Sequence, residues 1–201
     1  MHRPLKWLAP AALLLIMACQ PRTAAPIYGP WEEGLTLTFE DPSKPQPQRS
    51  AERMQVRVAH STLNPGAPAL IQLSLASTRG QMILNFRYQE GGIALVDDKG
   101  QILAQPLPVG VSNFTQWVDR GVQYRVIGRA AWEGAAILPA TSDPVGLWVE
   151  SRPPQGLPRR TLFLPNLGEV ESREERNGTW VVINRLVARG FTDIPTLKRP
   201  S

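Results

Sequence analysis

The sequence predicts a mainly β protein: one large curved antiparallel sheet, half-barrel or barrel-like, with few or no helices beyond an N-terminal signal peptide. The first observation is a series of short runs in which apolar and polar residues alternate with period two, as in strands with one buried face. The second is that tight-turn sequences separate many of these runs. With 201 residues, of which 42% are hydrophobic, the chain is long enough for one domain with its own core.

The first 18 residues have the pattern of a secretory signal peptide. Arg3 and Lys6 precede the apolar run LAPAALLLIMA. That run is too short to cross a bilayer as a helix, which takes about 20 apolar residues. A charged start, a short apolar segment and a small residue at its end are typical of a signal that is removed.

The end of this segment carries the only cysteine of the chain. Ile16-Met17-Ala18-Cys19 resembles the lipobox of bacterial lipoproteins. The resemblance implies cleavage before Cys19, a diacylglycerol on its thiol and an acylated new amino group. Because Gln20 rather than Asp follows, the same resemblance implies a cell-envelope protein anchored in the outer membrane and facing the periplasm.

The remaining chain divides into three parts. Residues 19–34 are rich in proline and are predicted to be a lipid-anchored tether. Residues 35–194 form the antiparallel β domain, with an exposed loop at residues 41–50, and residues 195–201 form a C-terminal tail. A single helical turn is expected at most near residues 50–54 or after Arg185.

The alternation predicts strands at residues 35–40, 54–59, 71–76, 82–89 and 122–127, and a hairpin pattern predicts strands at residues 93–96 and 101–104. Later strands are predicted at residues 145–151, 161–164, 168–173 and 179–186. Asp97-Asp98-Lys99-Gly100 and Asn177-Gly178 predict tight hairpin turns. Ten to twelve such strands must curl into a barrel, half-barrel or sandwich, because strand twist accumulates and one face must be buried. We expect five tryptophans to pack the concave face or plug its ends, with stacking on a ligand as the alternative: Trp31, Trp117, Trp132, Trp148 and Trp180.

A second resemblance covers residues 103–170. Its elements are Pro106-Leu107-Pro108, a strand around Trp117, the run YRVIGR at residues 124–129, and the corner at residues 164–170. Together they resemble periplasmic lipoproteins with curved, unclosed barrels, in which the corner is commonly Pro-Gly-Val-Gly-x-Val; Asn166 and Leu167 replace its Gly-Val here. The architecture is distantly similar to the LolA/LolB lipoprotein carriers, whose half-barrel holds acyl chains.

No catalytic, metal or cofactor site is predicted, and we expect no enzyme activity. His60 is the only histidine beyond the signal, and the adjacent Ser61 points to the opposite face of a strand. One cysteine excludes a multi-cysteine metal centre or a disulfide framework. Adjacent carboxylates lie in linkers, strand ends and turns, where they are solvated: Glu32-Glu33, Glu40-Asp41, Asp97-Asp98 and Glu174-Glu175. A hydrolase whose carboxylates come from distant strands stays a third alternative.

The charge does not indicate a nucleic-acid partner. The formal net charge of +5 falls to +3 once Arg3 and Lys6 leave with the signal. The remaining arginines are interleaved with glutamates, as on a solvated sheet surface, and Arg57, Arg87 and Arg125 are predicted on outward faces. A face that docks on anionic lipid is an alternative use of this charge.

The sequence therefore predicts a non-enzymatic envelope lipoprotein whose curved sheet shelters or carries a hydrophobic ligand, a lipid or an acyl chain. The alternative is a scaffold lipoprotein that binds an envelope protein through sheet edges or loops. In both cases the chain meets the membrane through its anchor at Cys19.

Overall fold

The structure is a computed structural model that describes residues 27–62, 68–90, 92–111, 116–139 and 143–191. The signal peptide, Cys19, the first part of the predicted tether and the C-terminal tail lie outside the described residues. The described residues form a 12-stranded antiparallel sheet that curls into a nearly closed barrel. The predicted fold class is confirmed.

The strands are β1 Leu35–Glu40, β2 Met54–Thr62, β3 Ala69–Ser77, β4 Gly80–Gln89, β5 Gly92–Val96, β6 Ile102–Leu107, β7 Gln116–Asp119, β8 Val122–Ala131, β9 Val145–Arg152, β10 Arg159–Leu164, β11 Gly168–Arg176 and β12 Thr179–Phe191. A helical turn, α1 Gln48–Ala51, interrupts the predicted loop, and a 3₁₀ turn lies at Ala135–Ile137. The helical turn that the sequence allowed after Arg185 does not form within the described residues, because β12 continues through that position while pairing with β1.

The strand order is β6-β5-β4-β3-β2-β1-β12-β11-β10-β9-β8-β7. Two six-stranded meanders are thus joined by the pairing of β1 with β12, where Leu37 lies opposite Arg189. The two edge strands of the sheet, β6 and β7, are connected by hydrogen bonds from backbone groups to side chains. The Gln105 N–H donates to Asp119 Oδ2 at 2.8 Å, and Arg120 donates to the Ile102 carbonyl at 3.1 Å.

The strand register defines the inner face of the barrel. Val56 lies opposite Leu37 and Leu75, and Leu73 lies opposite Leu84 on the next strand. Since directly paired residues point to the same side, these apolar positions form one continuous surface. Buried side chains on this face include Leu35, Leu37, Val58, Ile71 and Leu107.

Residues 27–31 close one end of this barrel. Tyr28 is 2% exposed, and its hydroxyl accepts a hydrogen bond from Arg129 at 3.0 Å. The Asn166 N–H donates to the Ile27 carbonyl at 2.7 Å, and Trp31 Nε1 donates to Asn166 Oδ1 at 3.0 Å. The sequence placed these residues in a tether. The structure instead packs them as a plug against the turn between β10 and β11.

The tryptophans divide between the two faces of the sheet. Trp117 packs inside the barrel, stacked on Tyr124 at 5.1 Å between ring centroids. Trp148 and Trp180 lie on the outer face, where their strand partners are Leu162 and Glu175. Trp132 lines a pocket on the same face with Trp148 and Glu171, so the expectation that all five line the concave face or its ends is wrong for these three. Within the described residues, no helix has the length and apolar character needed to cross a membrane.

Candidate functional site

An apolar hollow of about 300 Å³ lies inside the barrel. This volume is at the lower end of small-molecule pockets, which hold roughly 300–1,000 Å³. Its apolar lining comes mainly from β1 to β6, with two residues from the β10–β11 region: Leu37, Phe39, Met54, Val56, Leu73, Leu75, Leu84, Phe86, Tyr88, Ile93, Pro106, Phe163 and Leu167.

One end of the hollow is open and the other is closed. Along the inner face of β4, exposure falls from 57% at Met82 to 4% at Tyr88. Gly29 of the plug lies against the Tyr88 ring, where an added Cβ would stand 2.3 Å from Cζ. The closed end is thus packed so tightly that only glycine fits at that position. Burial also raises the pKa of the Tyr88 phenol.

A polar corner interrupts this apolar wall. Glu169 and Asn184 both line the hollow. Glu169 Oε1 accepts hydrogen bonds from Ser172 Oγ at 2.8 Å and from Asn184 Nδ2 at 2.9 Å. The buried Ser172 hydroxyl also lies 3.1 Å from Thr161 Oγ1. The corner therefore holds one carboxylate through neutral partners.

A bulge in the β10–β11 pairing places this carboxylate inside. Leu162 pairs with Glu171, but the next residue, Phe163, pairs with Glu169. One residue of β11 is thus left over, and the two glutamates face opposite sides of the sheet. Without the bulge, two residues separated by one position would share a face.

The outer face carries a second set of carboxylates, each held by arginines. Glu150 is 1% exposed and accepts from Arg125 at 3.1 Å, Arg152 at 2.9 Å and Arg160 at 3.0 Å. Burial alone would raise the pKa of Glu150. Its hydrogen bonds with Arg152 and Arg160 and the positive charges outweigh that effect, so its pKa lies below the ordinary value.

Glu171 is held in the same way, by Arg173 at 2.7 Å and Arg185 at 3.0 Å. Two tryptophans of the outer face contact these arginines. Arg160 stands 4.0 Å from the Trp180 ring centroid, and Arg173 stands 5.0 Å from that of Trp148. These distances allow cation–π attraction, which further fixes the guanidinium groups.

Sequence reasoning missed both buried carboxylates. The signal that could have found them is a repeated triplet, Glu150-Ser151-Arg152 and Glu171-Ser172-Arg173. In a strand, positions i and i+2 share a face, so each triplet sets an arginine beside its own glutamate. The same rule would not have found Glu169, whose direction depends on the bulge.

The residues singled out for chemistry are not brought together. His60 Nδ1 lies 2.8 Å from Glu33 Oε1 and its Nε2 lies 3.3 Å from Thr62 Oγ1, with the imidazole 67% exposed. Cys19 lies outside the described residues. Among the described residues, no group of three His, Cys, Asp or Glu side chains could hold a metal ion.

No protein-family model and no curated protein matches the chain. Two solved structures are similar to it. One is a Bacteroides fragilis protein described as exported and as having a YmcC-like fold, with 11% identity, TM-score 0.47, and coverage of 83% of this chain and 100% of that one. The other is described as a lipoprotein from Parabacteroides distasonis, with 11% identity, TM-score 0.45, and coverage of 83% and 99%.

Proposed function

We propose that this chain is a non-enzymatic lipoprotein of the cell envelope that shelters a hydrophobic ligand, a lipid or acyl chain, inside its barrel. The observation that carries the proposal is the apolar hollow, open at one end and closed by the plug. Burying an acyl chain there removes apolar surface from water, at about 0.8 kcal/mol for each methylene group.

The lipobox supports an anchor at Cys19, and Gln20 supports the outer membrane as its site. The described chain begins at the closed end of the barrel, where residue Ile27 binds Asn166.

The ligand proposal is tested with a fluorescent hydrophobic probe and two matched tryptophan variants. Leu84 lines the hollow, whereas the adjacent Ile83 faces outward and is 58% exposed. Leu84→Trp should fill the hollow and abolish probe binding. Ile83→Trp adds the same ring outside and should leave binding unchanged. Equal probe binding by the two variants, or none by the wild type, would overturn the proposal.

The anchor is tested separately by mass spectrometry of the N-terminal peptide from cells that express the full chain. The wild type should begin at residue 19 and carry fatty acid, whereas Cys19→Ala should carry none and should keep its signal segment. A wild-type peptide without fatty acid, or a Cys19→Ala peptide that still carries it, would contradict a lipid anchor at this residue.

The scaffold alternative is favoured by one observation. Strands β6 and β7 meet through the side chains of Asp119 and Arg120, and the structure shows no backbone ladder between these two described strands. Their edges therefore offer backbone groups to an added strand of an envelope protein. Crosslinking from Gln105 in cells would support this role if one partner is recovered reproducibly.

A further inference from the structure

Glu169 differs from the arginine-held glutamates in its partners. Glu40 is held by Arg53 at 2.5 Å, and Glu150 and Glu171 are held by arginines as described above. By contrast, within the described part of the chain no Lys, Arg or His nitrogen lies within 4.0 Å of the Glu169 carboxylate. In a chain this rich in arginine, the carboxylate that lines the hollow has only neutral neighbours.

The geometry leaves one Glu169 oxygen available. Both donors, Ser172 Oγ and Asn184 Nδ2, bind Oε1. No described residue donates a hydrogen bond to Oε2, which shares a hollow with Phe163 and Leu167. Glu169 is half-buried, so Oε2 is accessible to a ligand that brings a positive charge and a further hydrogen-bond donor.

We propose that the hollow takes a single-chain amphiphile with a small primary ammonium head, which donates to Oε2 of Glu169 while its alkyl chain lies along the apolar wall. This inference rests on the proposed function and specifies the ligand. An ammonium group is compact and carries three donors, so it can satisfy both the charge and the free acceptor.

The position of Glu169 restricts the head group. It follows Gly168, where an added Cβ would lie 3.0 Å from Pro30 Cδ of the plug. The carboxylate is therefore near the closed end, and a ligand must pass head first along a hollow of about 300 Å³. A primary ammonium is compact, which suits a head group at this position.

The net positive charge of the chain opposes the binding of a cationic ligand. The chain carries a formal net charge of +5 and still +3 without Arg3 and Lys6, so its overall field attracts anions. Preferential binding of a cation would thus have to come from a local contact. A measured preference for the cationic head group over the anionic one would therefore support a local contact with Glu169.

The experiment compares ligands that share one alkyl chain and differ in head group: dodecylammonium, dodecyltrimethylammonium, dodecanol and dodecanoate. Each displaces the fluorescent probe from the full mature chain at about pH 7, where a primary amine is protonated. Dodecylammonium should bind about tenfold more tightly than dodecanol, as expected for one hydrogen bond to a charged group. Dodecyltrimethylammonium, which has no N–H donor, should lose that advantage, and dodecanoate should bind most weakly.

Two glutamine variants then locate the contact. Glu169→Gln should remove the ammonium preference while dodecanol binds as before. Glu133→Gln removes the same charge from an exposed outer position and should keep the preference. The comparison of head groups on the wild-type chain tests the ammonium preference even if a variant fails to fold.

The outcomes separate the two proposals. Similar affinity for all four ligands, or a preference that survives Glu169→Gln, would overturn the ammonium site and leave the hydrophobic hollow standing. Failure of every ligand to displace the probe from the hollow, or failure of the probe itself to bind, would overturn both.

Discussion

Strand β11 carries two glutamates that lie on opposite faces of the sheet and have different partners. Glu171 faces outward and is neutralised by Arg173 and Arg185, whereas Glu169 faces the hollow and has only Ser172 and Asn184. The outer carboxylates, Glu150 included, complete their interactions within the chain. The outer carboxylates therefore have a stabilising role within the chain, whereas the free oxygen of Glu169 is the basis of the proposed ligand contact.

The largest loss of stability is expected at Glu150, the carboxylate that binds three arginines. Glu150→Gln leaves Arg125, Arg152 and Arg160 without their counter-charge. Removing one partner of a fully buried pair costs about 3–5 kcal/mol. The guanidinium side chains are between 33% and 57% exposed, and solvent screens them. We therefore expect a loss of about 2–3 kcal/mol in the free energy of unfolding, measured by urea denaturation at about pH 7.

The same interaction predicts how stability depends on acid. The pKa of Glu150 is lowered on folding, so its contribution is fully present above the unfolded value of 4.5 and is lost as pH falls through the folded pKa. The stability gap between wild type and Glu150→Gln should narrow steadily below about pH 4.5. A gap that stays constant down to about pH 2 would show that Glu150 acts through shape and not through charge.

The two glutamates of β11 give a matched pair. Glu171→Gln should cost about 1–2 kcal/mol, because only two guanidinium groups lose their partner. Glu169→Gln keeps an oxygen that can accept from Ser172 and Asn184, and should change stability by less than about 0.5 kcal/mol. If the two variants proved equally destabilised in urea, the inner and outer carboxylates would not differ in role.

The sequence predicted the parts of this molecule that depend on local pattern. Alternation and turn sequences located every strand but β7, which was expected only from the resemblance around Trp117. Alternation also placed Arg57 correctly on the outer face, opposite Ser74. It failed at positions that depend on pairing between distant segments. The bulge opposite Phe163 turns Glu169 inward, and the hydrogen bond of the Ile27 carbonyl with Asn166 in the β10–β11 turn helps to convert part of a proline-rich stretch into a plug. Neither depends on the period of its own segment.

The smallest expected effect compares the serines of the two Glu-Ser-Arg triplets. Ser172→Ala removes a hydroxyl that bonds both Glu169 and Thr161, and should cost about 1 kcal/mol in thermal or urea unfolding. Ser151 makes one 3.5 Å contact to the Arg159 carbonyl, so Ser151→Ala should be within about 0.5 kcal/mol of wild type. Because the Ser172 hydroxyl also holds the Glu169 carboxylate in position, Ser172→Ala should weaken the binding of dodecylammonium and leave the binding of dodecanol unchanged. Loss of affinity for both ligands in Ser172→Ala would instead mean that this serine maintains the whole hollow.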